Sequence, residues 1–535
     1  MKQYCNVARY KGQLLVRELI DGHEVRRKVK FSPHLFQRCA EDKADARDFY
    51  GGPVQKHQFK NNYEMKEFMD LYSDIENEIW GTTDPIAQFI YEEGYDTTDS
   101  KNIVTSYLDI EVCTRSKVDG MWVDGGFPNA HDASFPINAI CDYRSNDERY
   151  HVFTTAAGWT KEKSVLKYAD QVEYIYCQTE QELIKEWMKF WVHNTPNIIS
   201  GWNVQTFDIQ YIINRIKRLF GEEAANHISP WKIVNIRNVK NKFGEYETAY
   251  DIIGIDVLDY IELYKKYRYK PREKYSLEYI SKCELPEEPK LEFNGTHGSL
   301  YYDDPVYFVD YNIHDVRCVT RFESKFFFID LAIFLSYYSN INFEDNYSPI
   351  KIWENLIYKE CMKNNIAIPI RKHLPPKESY EGAYVHPPVT GLKHCIFSAD
   401  YTSLYPKIIE LWYIGADVHI RGEKRMELYD ELISILRNSS DQNCKKMLEE
   451  INTSGLFLNY YIENDIPVEV TEFLKRKSVS LTVNCEFYDI TKHSICNSLI
   501  TQLFLERKAD KKKSFEFKHK AQDIKAELEK RGIKV

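Results

Sequence analysis

The chain has 535 residues, of which 43% are hydrophobic and 28% charged, a globular composition that excludes wholesale disorder and suggests about three or four domains. Its net charge of −10 excludes a uniformly basic nucleic-acid-binding coat, although a local basic groove remains compatible with it. The absence of a long apolar run argues against a membrane span and a secretion signal, and twelve cysteines without a C-x-x-C pair argue against a structural zinc site.

The first two thirds of the sequence predict two kinds of domain in succession. Residues 1–104 alternate short β-type runs with polar turns, and we expect 84–102 to be a connector. Residues 103–112 have the pattern of a buried strand that contains carboxylates. From there to about 330, strands alternate with amphipathic helices such as 208–219, which is typical of an α/β domain. Within this region, 231–255 has the pattern of a β-hairpin.

The remaining third contains a proline-rich boundary and ends in a basic stretch. A proline-rich stretch from Ile368 to Pro388 marks another boundary. The last 35 residues hold eleven Lys or Arg against six Asp or Glu, and their apolar residues are spaced by three and four: Phe517, Ala521, Ile524 and Leu528. This spacing predicts a long basic helix with a narrow apolar seam that needs a partner.

The first chemical motif is Tyr107-Leu108-Asp109-Ile110-Glu111-Val112. Residues two apart on a strand point to the same face, so Asp109 and Glu111 should project together while their apolar neighbours pack. Two adjacent carboxylates repel each other unless a divalent ion lies between them. Taken alone, an acidic pair in an apolar strand is an ordinary feature of a fold.

Two further acids occur in a helical context. Asp208 follows Gly201-Trp202-Asn203 and should lie near the start of an amphipathic helix, where an acid also stabilises the helix dipole. Tyr311 and Asp315 are four residues apart, so on a helix they share one face, which by itself is typical of a solvated surface. Each motif alone therefore has a structural explanation.

Together, the four carboxylates could hold two divalent ions for in-line attack of water on a phosphodiester, with Tyr311 orienting the water. The three motifs resemble the D-x-E, N-x(2-3)-F-D and Y-x(3)-D exonuclease motifs of family B DNA polymerases, and the chain matches them at Asp109, Glu111, Asp208 and Asp315. The resemblance implies a ribonuclease H-like 3′-5′ exonuclease domain that removes mispaired ends, with two Mg²⁺ or Mn²⁺ ions in its active site.

A fourth motif, Asp400-Tyr401-Thr402-Ser403-Leu404-Tyr405-Pro406, resembles the palm motif of the same family, a strand followed by a turn and a helix. The resemblance implies that Asp400 binds the catalytic metals, that Ser403 and Leu404 hold the phosphates of a dNTP, and that Tyr405 selects deoxyribose. It also implies template-DNA contacts from Tyr380, Gly382 and Ala383, and contacts to the nucleotide triphosphate from Arg507 and Lys511 on the terminal helix. For those two basic residues, a solvated helix face explains the pattern about equally well.

Other stretches are similar to replicative polymerases of T-even-like phages, including Gly125-Gly126-Phe127-Pro128 and Tyr347-Ser348-Pro349-Ile350-Lys351. The resemblance covers nearly the whole chain and is weakest between about 415 and 490. The family's K-x(3)-N-S-x-Y-G and Y-G-D-T-D-S elements are missing, and the second of these supplies the carboxylate that completes the palm site. We therefore expect the 535 residues to degrade single-stranded DNA but not to extend primers by themselves.

The resemblance implies an α/β and α+β multidomain fold. We expect a β-rich N-terminal α+β domain at 1–104 and 328–372, the exonuclease domain at 105–327, a partial palm with an extended insertion at 373–490, and part of the helical fingers at 491–535.

The leading interpretation is an N-terminal subunit or part of a split phage DNA polymerase, acting in the cytoplasm of the bacterial host. Its expected partners are primer-template DNA, a dNTP, a second polypeptide with the remaining palm, fingers and thumb, and a sliding clamp through that polypeptide. The alternatives are a free-standing exonuclease with a vestigial palm segment and a non-catalytic DNA- or RNA-binding remnant. Intact acids at all four exonuclease positions argue against the remnant.

Overall fold

The computed structural model describes residues 2–75, 77–95, 100–119, 121–240, 246–293, 295–370, 386–401, 403–492 and 494–531. Internal contacts divide the chain into two compact units. The first comprises Met1–Leu35, His57–Glu76 and Thr82–Lys359, and the second comprises Phe36–Lys56, Asn77–Gly81 and Glu360–Val535. Among the described residues, no helix is both long enough and apolar enough to cross a membrane.

The strands, in chain order, are β1 (Lys2–Tyr10), β2 (Gln13–Ile20), β3 (His23–Val29), β4 (His34–Arg38), β5 (Ala46–Asp48), β6 (Pro53–Gln58), β7 (Ile79–Trp80), β8 (Thr105–Val112), β9 (Arg115–Val118), β10 (Met121–Asp124), β11 (Ile137–Arg144), β12 (Arg149–Thr154), β13 (Val172–Tyr176), β14 (Ile198–Ser200), β15 (Val234–Lys240), β16 (Tyr246–Ile252), β17 (Asp256–Val257), β18 (Ile366–Ala367), β19 (Val479–Leu481) and β20 (Phe487–Asp489).

The α-helices are α1 (Asn62–Leu71), α2 (Pro85–Glu93), α3 (Glu180–His193), α4 (Asp208–Phe220), α5 (Glu222–Asn226), α6 (Tyr260–Tyr267), α7 (Leu277–Glu284), α8 (His297–Asp303), α9 (Pro305–Phe326), α10 (Phe328–Ser339), α11 (Pro349–Lys363), α12 (Leu404–Trp412), α13 (Gly422–Asn438), α14 (Gln442–Ser454), α15 (Leu458–Glu463), α16 (Val468–Lys477) and α17 (Ile495–Lys530).

The first unit opens with an antiparallel sheet in the order β1-β2-β3, as the alternating N-terminal pattern predicts. Its two tight turns are Lys11-Gly12 and Asp21-Gly22, and all four residues have positive φ. Two-residue hairpin loops require this left-handed backbone, which glycine adopts without steric cost. The two turns that connect the three strands are therefore specified by residues next to one another in the sequence.

The segment expected to be a connector contains helix α2, so the prediction for 84–102 was wrong in its first half. The Asp84 carboxylate accepts a hydrogen bond from the N–H of Ile86 at 3.0 Å, Pro85 occupies the first turn, and Gly94 ends the helix with φ 66°. An acidic N-cap, proline in the first turn and glycine after the last turn are all helix boundary signals. Residues 96–99 lie outside the described part of the chain.

A six-stranded mixed sheet forms the centre of the first unit, in the order β13-β12-β11-β8-β14-β17. Strand β8 lies between β11, to which it is antiparallel, and β14, to which it is parallel. Asp109 pairs with Cys141 and Glu111 with Ala139 across the antiparallel ladder. A mixed α/β architecture is thus confirmed for this region.

The two faces of β8 contact different helices. Leu108, Ile110 and Val112 pack with buried residues of α3 and α4 in one core. Tyr107 packs with buried residues of α9 in the other core. Because side chains alternate along a strand, Asp109 and Glu111 lie on the same face as Tyr107, towards α9.

Two other predictions for this unit are confirmed. The helix predicted at 208–219 is α4, and the hairpin predicted at 231–255 consists of the antiparallel strands β15 and β16. The turn of the hairpin, 241–245, lies outside the described residues.

The second unit contains a sheet in the order β18-β5-β6-β4-β7 and a group of helices with its own core. This core occupies the stretch 415–490, where the family resemblance is weakest. Its buried members come from four helices and a short hairpin, and they include Leu432, Leu436, Met447, Phe473 and Phe487. The stretch is therefore an apolar-packed element rather than an extended connection.

The strand that the palm resemblance implies at the start of the motif 397–406 is not present among the described residues. The described residues 386–401 contain no strand, and Phe397 and Tyr401 are 90% and 81% exposed. A strand is stable only when neighbouring strands satisfy its N–H and C=O groups, and the described part of this unit places none beside it. The predicted helices are present: α12 begins after Ser403, and α17 extends over 36 residues with Phe517 and Ile524 of its seam exposed.

The core behind the carboxylate strand should be sensitive to a cavity at Trp187. This side chain is 1% exposed, lies 5.0 Å from the Trp191 ring, and donates its indole N–H to Asp142 at 3.4 Å. We expect Trp187→Ala to lower the free energy of unfolding of the first unit by about 3–5 kcal/mol, measured by calorimetry or denaturant titration. Trp187→Phe should lower it less, and equal losses would contradict this packing argument.

Candidate active site

Three of the four predicted acids meet on one face of the central sheet. Asp109 and Glu111 project from β8, and Asp315 projects from the middle of α9. One carboxylate oxygen of each lies within 4.8 Å of those of the other two. Glu111 and Asp315 are buried, at 7% and 5% exposure. Residues separated by more than 200 positions therefore form one acidic cluster.

The fourth acid reaches the same place from the other side of the strand. Asp208 is the first residue of α4 and is 4% exposed. Its Oδ1 accepts a hydrogen bond from the backbone N–H of Ile110, between the two acids of β8, at 3.0 Å. Burial, followed by the charge of Asp109, raises the pKa of Asp208. Asp208 is thus held at the backbone between the two acids of β8 and lines the same cavity as they do, but it does not belong to the group of three acids whose oxygens lie within 4.8 Å of one another.

Two polar side chains that the motif analysis missed contact the acids directly. The Lys290 ammonium donates to Asp315 Oδ2 at 2.5 Å, hydrogen-bonds Tyr311, and lies 4.6 Å from the centre of the Tyr311 ring. Asn312 donates to Asp109 Oδ2 at 2.7 Å. Asn312 is inside the Tyr311–Asp315 motif and could have been found there. Lys290 lies 25 residues earlier in a loop with no motif of its own, so only the folded chain identifies it.

The cluster retains protons more tightly than isolated carboxylates. Burial, followed by the charge of Asp315, raises the pKa of Asp109 to about 8. Burial and the neighbouring acids also raise the pKa values of Glu111 and Asp208. Burial raises the pKa of Asp315 as well, although Lys290 counteracts it. The physical cause is that several negative charges share a site with little water.

An open cavity of about 520 Å³ is lined by Asp109, Glu111 and Asp208. Asp124, Phe127, Trp202, Asn203, Phe207 and Thr296 are among the residues that line it. Phe127 is 86% exposed, and its ring lies 5.2 Å from that of Phe207. An exposed aromatic ring beside an acidic cluster offers a planar apolar surface to a ligand that also contacts the acids.

The donor set fits a divalent metal ion. Asp315 Oδ1 is buried and accepts no hydrogen bond from any residue that the structure describes, which leaves one oxygen of the cluster without a partner. All the ligand atoms are carboxylate oxygens, the donors that Mg²⁺ and Mn²⁺ prefer. The acidic cluster could therefore hold a metal ion.

The predicted nucleotide-binding residues are only partly assembled. Arg507 on α17 donates to the Ser403 hydroxyl at the start of α12 at 3.1 Å, which brings together two residues 104 positions apart. Asp400, Leu404, Tyr405 and Lys511 are exposed. Tyr380, Gly382 and Ala383, predicted to contact DNA, lie outside the described residues.

Residues 91–280 match the model of the DNA polymerase family B exonuclease domain. This part of the chain is a family B DNA polymerase exonuclease domain. The match includes Asp109, Glu111 and Asp208 and ends before Lys290, Tyr311 and Asp315.

The similarity to curated relatives extends beyond this domain. The chain is 32% identical to the DNA-directed DNA polymerase of Escherichia phage RB69 and 29% identical to that of Enterobacteria phage T4. Each comparison covers 89% of this chain, but only 53% and 54% of the two relatives. The DNA polymerase delta catalytic subunit of Plasmodium falciparum is 26% identical over 59% of the chain and 29% of its own length. The chain thus spans about half the length of the phage polymerases that it matches.

Metal binding to the exonuclease domain should depend on pH in a direction set by the raised carboxylate pKa values. Protons compete with the metal below about pH 8, so apparent affinity for Mg²⁺ or Mn²⁺ should increase between about pH 6.5 and about pH 8.5. Calorimetry in buffers of different ionisation enthalpy should show more protons released per bound ion at the lower pH. Equal affinity and proton release at both pH values would contradict this account.

Proposed function

We propose that the first unit is a ribonuclease H-like 3′-5′ exonuclease that hydrolyses the terminal phosphodiester of a DNA strand and thereby proofreads DNA synthesis. The observation that carries this proposal is the cluster of Asp109, Glu111 and Asp315, with Asp208 hydrogen-bonded to the strand that carries the first two. The family match of 91–280 supports it independently.

The four acids would hold two divalent ions, Mg²⁺ or Mn²⁺. When bound, such ions supply Lewis-acid stabilisation of the charge that develops on the phosphate and on the leaving 3′ oxygen. The chain's own contribution is to orient the reactants. Tyr311 would hold the attacking water near Asp315, and Lys290 keeps the Asp315 carboxylate and the Tyr311 hydroxyl in a fixed relation. Asn312 holds the Asp109 carboxylate in place through its hydrogen bond to Oδ2.

A single strand is the substrate that the cavity suits. In a duplex, stacking on the neighbouring base pair covers the flat face of a base and pairing holds its edge, whereas an unpaired terminal base can lie against Phe127 while its phosphate reaches the acids. Stacking of a base on an aromatic side chain contributes about 1–3 kcal/mol and does not depend on base identity. The β15–β16 hairpin, which follows the second motif, would help to separate primer from template.

We expect the purified chain to shorten a labelled single-stranded oligonucleotide from its 3′ end with Mg²⁺ or Mn²⁺. Asp109→Ala combined with Glu111→Ala should lower the rate by several orders of magnitude, because removal of two carboxylates dismantles the proposed ion site. Asp170→Ala removes a 92% exposed acid of the same unit and is the matched control. Unchanged hydrolysis in the double variant would refute the proposed site.

We further propose that the second unit carries part of a polymerase active site. The contact between Arg507 and Ser403 favours this candidate, since a guanidinium beside a helix N-terminus suits the phosphates of a dNTP. Asp400 would bind metal, Tyr405 would select deoxyribose, and Leu404 and Lys511 would contact the nucleotide.

DNA synthesis would need the remaining palm, fingers and thumb, supplied by a second polypeptide or within a longer chain. A sliding clamp would be contacted through that part, and the place of action would be the cytoplasm of the bacterial host.

Primer extension tests this second site. The 535 residues alone should not extend a primer, whereas addition of a polypeptide matching the other half of the phage polymerases should restore extension. Arg507→Ala should then lower extension by about tenfold or more, because a charge-assisted hydrogen bond to phosphate is lost. Lys520→Ala, on the same helix, is the control. Extension by the 535 residues alone, or equal effects of the two variants, would contradict the proposal.

A further inference from the structure

The loop that carries Lys290 lies along helix α9. Each residue of 287–290 contacts a side chain of that helix. Arg321, Arg317 and His314, which contact 287–289, are four and three residues apart, so they lie on one face of the helix. The contacts are Arg321 with Glu287 at 3.8 Å and with Glu288 at 3.6 Å, Arg317 with Glu288 at 3.7 Å, His314 with the Pro289 carbonyl at 2.8 Å, and Asp315 with Lys290 at 2.5 Å.

The His314 contact differs from the two arginine contacts. The arginine pairs are long, and their side chains are 24–60% exposed, so each contributes only about 0–1 kcal/mol. His314 is 4% exposed and is hydrogen-bonded through both ring nitrogens, each at 2.8 Å. The partners are the Pro289 carbonyl and the Tyr168 hydroxyl.

These partners define which ring nitrogen of His314 carries the proton. A carbonyl can only accept, so His314 Nε2 carries the proton and donates to Pro289. In the neutral imidazole, Nδ1 then accepts from the Tyr168 hydroxyl. Burial lowers the pKa of His314, which favours this neutral form. The His314 ring therefore connects the Pro289 carbonyl, just before Lys290, to Tyr168, which lies 146 residues earlier in the chain than His314.

We propose that His314 is a positioning residue for the exonuclease reaction, which acts by fixing the Pro289 carbonyl and hence the Lys290 ammonium between Asp315 and Tyr311. Proline has a fixed φ and no N–H, so little freedom remains between the held carbonyl and the next residue. A second restraint is the Lys290 backbone N–H, which donates to the Ser281 hydroxyl at 2.9 Å. The inference rests on the proposed exonuclease function.

A double-mutant cycle separates positioning from a general structural effect. We expect His314→Leu to lower kcat on single-stranded DNA by about 10–100-fold with little change in KM, as for partners that orient active-site groups. His314→Gln should restore most of the activity, because its amide N–H can reach the Pro289 carbonyl. In a Lys290→Met background, His314→Leu should cause no further loss. A similar loss in both backgrounds, or full activity of His314→Leu, would overturn the proposal.

A second readout does not depend on activity. The Lys290 side chain is only 18% exposed, so acetic anhydride should modify it slowly, whereas the 51% exposed Lys161 serves as an internal reference. Peptide mass spectrometry should show several-fold faster acetylation of Lys290 in His314→Leu, but not in His314→Gln or in the control Arg321→Ala. Unchanged reactivity of Lys290 in His314→Leu would contradict the proposed role.

A milder variant covers the case in which His314→Leu does not fold. Tyr168→Phe removes one hydroxyl that holds the ring and should accelerate acetylation of Lys290 in the same direction by a smaller factor. No change in this variant would contradict the proposal. If the wild-type chain hydrolyses no DNA, the exonuclease proposal fails by itself, whereas the acetylation series still tests whether His314 holds Lys290.

Discussion

Electrostatic repulsion among buried carboxylates is the constraint around which the first unit is organised. Oxygens of Asp109, Glu111 and Asp315 lie within 4.8 Å of one another. At that separation, two unit charges repel by roughly 3 kcal/mol when the effective dielectric constant is about 20. Retained protons, the Lys290 ammonium and the Asn312 amide reduce this repulsion. The remaining excess of acceptors is what a divalent cation would satisfy, so the same feature that destabilises the metal-free site would favour the binding of a metal ion.

The surrounding fold holds the acids together against this repulsion. Strand β8 lies inside a six-stranded sheet and is buried on both faces, which fixes the direction of its alternating side chains. Helix α9 covers the face from which Asp109 and Glu111 project. Helix α4 packs on the other face and directs Asp208 at the backbone between them. Because apolar packing positions all three elements, the acids cannot move apart without disrupting two hydrophobic cores.

In the second unit, the residues predicted to bind a nucleotide are less completely assembled than the acids of the first unit. The contact between Ser403 and Arg507 brings a helix start and a distant basic residue together. Asp400 and Tyr405 are exposed, and the stretch before them forms no strand. By contrast, the stretch 415–490 packs around its own apolar core. Local apolar content therefore suffices for 415–490, whereas the described residues place no neighbouring strand beside the segment that was predicted to be part of a palm.

The amino-acid sequence by itself determined those features that depend on local periodicity. Alternation along 107–112 predicted that Asp109 and Glu111 share a face, helical spacing predicted the pairing of Tyr311 with Asp315, and apolar spacing predicted α4 and the β15–β16 hairpin. Asp84 and Gly94 are boundary signals for α2, but the polar run at 97–102 favoured the interpretation of the whole segment as a connector. The predicted domain boundaries and residue roles stay predictions.

Only the tertiary structure decided which distant groups meet. Lys290 reaches Asp315 because its loop lies along α9, and His314 binds the Pro289 carbonyl because that loop passes over its side of the helix. At 397–401 the opposite holds: the residues suit a strand, but the described part of the chain places no neighbouring strand beside them and they form none. Periodicity is a property of neighbours along the chain, whereas a hydrogen bond or an ion pair across more than 20 residues depends on how complete elements pack.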